Sequence, residues 1–333
     1  MFIKELDLRG FRGIKFLEKP LKFGGVTLIY GLNGVGRTSI IFALSLLQAM
    51  LFSYKLGIKN LVSIPVYDVE SPFDEIRYME LINEIFSSVR NIVYVSENVA
   101  ELVFRVNQVE IKLFLNKLGE LSFDDNCMKS LMKLCDFRIL SLFSSRNMMN
   151  LLVNSLSNER MWAQIMAKKL HIKVAKILSE IASKSFLEIA PPMLINGRNI
   201  LSIKVLLDDA PFYLPVTDLG DGLLKTLVMV LLIEYFRPSI LLIDDVETSF
   251  NVLTLKKFIE YILTQKEISQ IIVTTQSIET LLSVAEFRLR DVYVIILRMS
   301  NGILSYDYLP IEDAIDYLEK GLDIRVIPVK SRV

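Results

Sequence analysis

The chain has little cysteine, one histidine and no surplus of charge of either sign. Its two cysteines, Cys127 and Cys135, stand eight residues apart in a chain of 333. That spacing fits neither a zinc knuckle nor a redox pair, so both are expected to be reduced thiols of a cytoplasmic protein. The only histidine, His171, falls in a helical stretch and reads as a helix surface residue, so no imidazole is in reserve for catalysis. Lys plus Arg equals Asp plus Glu at 38 each, which removes any global electrostatic argument for nucleic-acid binding. Long apolar runs are also missing. The longest, Leu227 to Ile233, is seven residues and ends at Glu234, whereas a membrane-spanning helix needs about 20. Met-Phe-Ile-Lys-Glu-Leu-Asp at the start brings acid too early for a signal peptide. There is no internal repeat, no low-complexity tract and no heptad run long enough for a coiled-coil arm.

What is present is apolar and patterned. Hydrophobic residues make up 52% of the chain, which excludes disorder and supplies a large core. Residues 2–8 alternate as an exposed or edge strand, and 21–30 end in a buried strand, Val-Thr-Leu-Ile-Tyr. A glycine-rich loop at 31–36 and a helix over 38–52 follow. Residues 55–75 read as a loop and 74–90 as a helix. Residues 101–123 alternate through Leu102, Phe104, Val106, Val109, Ile111, Leu113 and Leu115, an antiparallel meander. A long helical stretch is expected over 158–187 and a hairpin over 200–216. The last third alternates helix 221–236, strand 239–244, helix 252–265, strand 271–275, helix 278–286, strand 291–297 and helix 311–320. That rhythm predicts an α/β fold with a mostly parallel, doubly covered sheet.

The most specific motif is Gly31-Leu32-Asn33-Gly34-Val35-Gly36-Arg37-Thr38, followed by Ser39. It fits the phosphate-loop pattern G-x-x-x-x-G-K-[ST] except that Arg37 replaces lysine. Glycines let successive backbone N–H groups curl inward around a phosphate at a helix N-terminus. The Thr38 hydroxyl is placed to ligate Mg²⁺. Arg37 keeps the positive charge, but its planar fork does not reproduce the point charge of lysine. The second motif is Ser239-Ile240-Leu241-Leu242-Ile243-Asp244-Asp245, an apolar strand ending in two acids. Asp244 is expected to hold Mg²⁺ through water. Asp245 occupies the position of a water-orienting acid, and Glu247 is a substitute two residues on.

With these two motifs the chain resembles the ABC-class ATPase heads of the RecF, SMC and OLD type, most of all the short archaeal and bacterial AAA-family ATPases that lack coiled coils. Four further segments carry the resemblance. They are Phe2 to Phe16, similar to an opening strand pair; Leu219-Gly220-Asp221-Gly222-Leu223-Leu224-Lys225, similar to a signature loop; Ile271 to Ser277, similar to a switch strand; and Gly321-Leu322-Asp323-Ile324-Arg325, similar to a closing phrase. The resemblance is strong at both ends and weak between about 52 and 195. It implies a P-loop NTPase fold: one head over 1–333, with a core lobe from 1–52 and 235–333, a β meander at 100–125, and a helical signature lobe at about 126–234. It further implies ATP and Mg²⁺ as ligands, and a homodimer in which Gly220 and Gly222 approach the γ-phosphate held by the other subunit, with Asp218 or Asp221 capping the helix. Gln276 stands where the family has a switch histidine. Arg12 matches an arginine that approaches the nucleotide in related heads; Arg146 is a weaker match. The expected function is Mg-ATP binding with weak hydrolysis, catalysed by Asp245, Gln276 and Glu247. The rival expectations are a non-hydrolysing switch acting on a partner protein, or the ATPase subunit of a DNA repair or defence system.

Overall fold

The computed structural model describes residues 2–55, 93–94, 96–118, 120–123, 138–143, 159–195, 198–207, 210–289 and 291–325. In chain order, β1 (Ile3–Phe11), β2 (Ile14–Leu17), β3 (Leu21–Lys22) and β4 (Val26–Tyr30) precede helix α1 (Arg37–Lys55). Then come β5 (Val99–Val106), β6 (Val109–Asn116), β7 (Leu121–Phe123), β8 (Ile139–Phe143), α2 (Glu159–Ala167) and α3 (Leu170–Ala182). Strands β9 (Phe186–Ile195), β10 (Arg198–Leu207) and β11 (Ala210–Pro215) lead to α4 (Asp221–Phe236), β12 (Ile240–Asp244) and α5 (Val252–Leu263). The chain continues with β13 (Gln270–Thr275), α6 (Ile278–Ala285), β14 (Val292–Ser300), β15 (Ile303–Pro310) and α7 (Ile311–Glu319). The readings at 56–92, both cysteines and Arg146 lie outside the described residues. No described helix is long and apolar enough to cross a membrane.

One sheet runs β7-β6-β5-β1-β2-β15-β14-β4-β13-β12-β8, with β3 paired to β1. From β14 to β8 each strand is parallel to its neighbour. Those strands are buried on both faces, as all five residues of β12 and all six of β13 are. That is why they read as unbroken apolar runs. From β7 to β1 the pairing is antiparallel and one face meets water. There the burial alternates, Ile3, Leu6 and Leu8 in and Lys4 and Arg9 out, so the period of two was visible in the sequence. The meander at 99–123 is thus an extension of the main sheet, and a separate three-stranded sheet is formed by β9, β10 and β11.

Four elements depart from expectation: the helix over 158–187, and strands β8, β9 and β15, which are not among the expected strands. The stretch read as one helix over 158–187 is broken at Lys169, whose backbone is left-handed at φ 55°, and stops at Ser183, φ 52°. The Ser183 N–H donates to the Ser179 carbonyl, a left-handed helix stop. The Ser179 hydroxyl then bonds both backbone groups of Phe186 and starts β9. His171 is buried at 7% exposure, not a surface residue. Strand β15 was not foreseen. It pairs antiparallel with β14 and parallel with β2, so it joins the two halves of the sheet.

Gln270 ties the same halves from the other side. Its Oε1 accepts the Ile3 N–H at 2.9 Å, and its Nε2 donates to the Ile3 and Gly24 carbonyls at 2.9 and 3.1 Å. The residue is fully buried. Gln270→Leu leaves three buried backbone groups without partners, and we expect a loss of about 3 kcal/mol, at roughly 1–3 kcal/mol per orphaned group with partial relaxation. Urea unfolding checks this; a change below about 1 kcal/mol means those groups find water.

Candidate nucleotide site

Strand β4 delivers the chain to the loop Gly31–Gly36, and α1 begins directly after it. Gly34 and Gly36 have φ of +81° and +96°, which only glycine adopts without strain. A Cβ on Gly31 would lie 2.8 Å from Val35 Cγ2. The first turn of α1 carries no acidic residue, so its N–H groups and dipole face the loop unopposed.

Arg37, the first residue of α1, is only 5% exposed. Its Nη2 donates to Asn33 Oδ1 at 3.0 Å and pairs with Asp245 Oδ1 at 3.1 Å. Its Nη1 is buried with no hydrogen-bond partner. Arg12, in the turn between β1 and β2 with φ 52°, stacks 4.1 Å over the Phe42 ring and also buries Nη1 without a partner. Burial pushes the Arg12 guanidinium down, and the charge of Asp244 opposes that. Gly13, Ile14, Asn33, Gly34, Gly36, Arg37, Thr38, Ser39, Asp245 and Met299 line a cavity of about 250 Å³. That is smaller than the roughly 300–1,000 Å³ of a drug-sized site, and suits a phosphate chain.

Asp244 ends β12 and is buried. It accepts from Thr274 Oγ1 at 2.6 Å and is also hydrogen-bonded by Thr38. Burial holds its carboxyl above the usual range even though Thr274, Thr38, Arg37 and Arg12 all pull the other way. A carboxylate still under-compensated beside a threonine hydroxyl fits a divalent cation, whose charge would offset the desolvation. Thr38 and Asp244 are therefore neighbours, as a Mg²⁺ site requires.

Asp245 has left-handed backbone, φ 45°, and its N–H donates to Thr274 Oγ1 at 2.7 Å. Burial and then Asp244 raise its carboxyl; Arg37 and Lys225 lower it. One hydroxyl, Thr274, thus fixes both acids. Glu247 Oε1 accepts the Gln276 backbone N–H at 2.9 Å, and Arg325 Nη1 donates to the Gln276 carbonyl at 3.4 Å. Glu247 and Gln276 are thus in contact, with Glu247 holding the backbone of the switch position, while Asp245 alone of the three lines the cavity.

The signature residues lie off the cavity and serve their own chain. Gly220 caps α4 without any side-chain bond, so neither Asp218 nor Asp221 is the cap. A Cβ on Gly222 would meet the Ser249 carbonyl oxygen at 2.4 Å, whereas one on Gly220 meets nothing within 4 Å. One turn on, Lys225 is 2% exposed and its Nζ donates to the carbonyls of Val246, Thr248 and Asp245 at 2.9, 2.8 and 3.3 Å. Burial pushes its ammonium down to about 7, opposed by Glu247, Asp245 and Asp244. Thr274 and Lys225 are the site-forming residues that the sequence reading gave no role. The signal for Thr274 was a hydroxyl at the end of the strand beside the acids, and for Lys225 the lone cation of a mostly apolar helix.

Residues 171–283 match the family described as AAA domain, putative AbiEii toxin, Type IV TA system. An SMC head solved with the C-winged helix domain of ScpA superposes with a TM-score of 0.57 at 14% identity, covering 94% of this chain and all of that one. An Smc head with an extended coiled coil, bound to the C-terminal domain of ScpA from Pyrococcus furiosus, gives 0.54 at 12% identity over 96% and 99%. The recombination mediator RecF aligns at 0.48 and 16% identity, over 93% of this chain and 98% of that chain. No curated protein sequence matches. The chain has the fold of an SMC head.

Gly222→Ala is expected to destabilise the protein by about 2 kcal/mol or more, because its Cβ meets backbone that has to shift. Gly220→Ala should change stability by less than about 0.5 kcal/mol, as an exposed substitution does. Thermal melts of the two variants check the contrast; equal effects would show that the Ser249 turn yields freely.

Proposed function

We propose that this protein binds Mg-ATP at the Gly31–Ser39 loop, hydrolyses it slowly, and dimerises through the bound nucleotide. The observation that carries the reading is the nearly fully buried Arg37, which lines a glycine-rich cavity at a helix N-terminus and leaves its Nη1 without a partner. A buried cation donor without an acceptor is costly, and a phosphate oxygen is the acceptor that the surrounding N–H groups also want. Arg12 adds a second donor of the same kind. Thr38 and Asp244 would hold Mg²⁺, whose bound charge stabilises the phosphate oxygens. Slow turnover follows from the placement of the acids: Asp245 is paired with Arg37, and Glu247 gives one oxygen to the Gln276 N–H and lies off the cavity. The same engagement favours the second reading, a nucleotide switch that acts on a partner protein with little hydrolysis.

Mg-ATP at one hundred times its Kd should stabilise the fold by about 2.7 kcal/mol, by mass action. We expect a corresponding rise in Tm for the wild type and a much smaller one for Asp244→Ala. A folded wild type whose Tm is unmoved by millimolar Mg-ATP would remove the nucleotide reading.

Dimerisation is best probed at Gly220. Its Cβ direction is open, so Gly220→Arg adds bulk to the outer surface of the α4 N-terminus without disturbing the Ser249 turn. Gly222→Arg has no such freedom and would damage its own chain. We expect light scattering to show a Mg-ATP-dependent dimer for the wild type, and a monomer that still binds nucleotide for Gly220→Arg. An isologous interface places the change in both sites at once. A wild type that stays monomeric with saturating nucleotide would point to a different partner chain.

A further inference from the structure

Two departures from the phosphate-loop ATPase pattern are in contact. Arg37 stands where lysine is expected, and Asp245 where a longer acid is expected. Their side chains meet at 3.1 Å, and both line the phosphate cavity. The sizes complement each other. Arginine reaches further than lysine and aspartate is one methylene shorter than glutamate, so the gap between loop and strand end is still closed by one ion pair.

The two sides of the pair are anchored differently. Asp245 cannot follow Arg37, because its N–H is bound to Thr274 and its carbonyl to Lys225 on a turn held at positive φ. The Arg37 fork shares Nη2 between Asn33 and Asp245 and keeps Nη1 unbonded. A planar fork with a spare donor can accept a second oxyanion and rotate away from the first.

We propose that Arg37 and Asp245 form an exchangeable ion pair, in which the phosphate of a bound nucleotide takes the Arg37 guanidinium from Asp245. This rests on the nucleotide reading above. Asp245 is then the counter-ion that Arg37 leaves behind, and a positioning residue for the phosphate site. On exchange its carboxylate remains beside Asp244 with one cation fewer, on the turn that Lys225 and Gly222 join to α4. The loop that binds phosphate and the helix that carries Gly220 are linked through this one turn.

The pair predicts that Asp245 competes with phosphate for Arg37. Full-length wild type, Asp245→Asn, Arg37→Lys and the double variant are titrated calorimetrically with Mg-ADP, so that hydrolysis plays no part in the affinities. We expect Asp245→Asn to tighten Mg-ADP binding about fivefold or more when Arg37 is present, and by less than about twofold in the Arg37→Lys background, the range of coupling seen for contacting pairs. Asp245→Ser replaces Asp245→Asn if the latter does not fold. Unchanged or weaker binding by the Asp245 variants overturns the exchange. So does equal tightening in both backgrounds, which would be charge removal without any coupling to Arg37. If no variant and no wild-type protein binds Mg-ADP or Mg-ATP, the nucleotide reading itself fails and the exchange falls with it.

Discussion

Burying the charge of Arg37 is the constraint on which the rest of the site depends. Taking a guanidinium out of water costs several kcal/mol unless ion pairs and hydrogen bonds replace its hydration. The structure supplies Asn33 from the same loop and Asp245 from the strand end opposite, and leaves one nitrogen unmatched. Everything nearby follows from that arrangement. Asp245 must be rigid to serve as counter-ion, so Thr274 binds its N–H. The same Thr274 hydroxyl then donates to Asp244, which Thr38 also reaches, so the loop, β12 and β13 close around one set of charges.

The turn after β12 extends that set into the helical part of the chain. Its carbonyls point at a buried lysine, and three acceptors for one Nζ is what an ammonium needs and a neutral amine cannot match. Gly222 allows α4 to come close enough for Lys225 to reach, since any side chain there would strike Ser249. The glycines of the signature segment therefore have two different physical reasons. Gly222 is required by packing within the chain. Gly220 has no such requirement, and its open surface leaves it available to a second molecule.

What could be read from the sequence was what local chemistry fixes. The positive φ at Gly34 and Gly36, the apolar run into Asp244 and the alternation of β5 and β6 are all properties of a few adjacent residues. Strand β15 is equally legible in local sequence. Asn301-Gly302 between two apolar runs is a strong hairpin signal, and both residues do take positive φ, 50° and 79°. The helix break at Lys169 had no comparable marker, because neither glycine nor proline stands there. The roles of Thr274, Lys225 and Gln270 depend on which strand lies beside which. Ile3 and Gln270 are 267 residues apart, and no local pattern encodes that pairing. The burial of His171 also depended on tertiary packing.

The departures from the phosphate-loop ATPase pattern look different once placed in space. Read along the chain, Arg37, Asp245 and Gln276 are three separate losses of the usual lysine, glutamate and histidine. In the fold two of them are one contact, and the third is held by its backbone between Glu247 and Arg325. A site drifting out of use has no reason to keep a buried cation and its counter-ion matched in length, because the cheaper course is to replace both with apolar groups of similar volume. Keeping the charge buried beside the glycine loop with one nitrogen unmatched is a cost that a bound anion would offset. The substitutions therefore argue for a site that still takes phosphate. They also argue that the carboxylate next to it is committed to Arg37 before it can act on water.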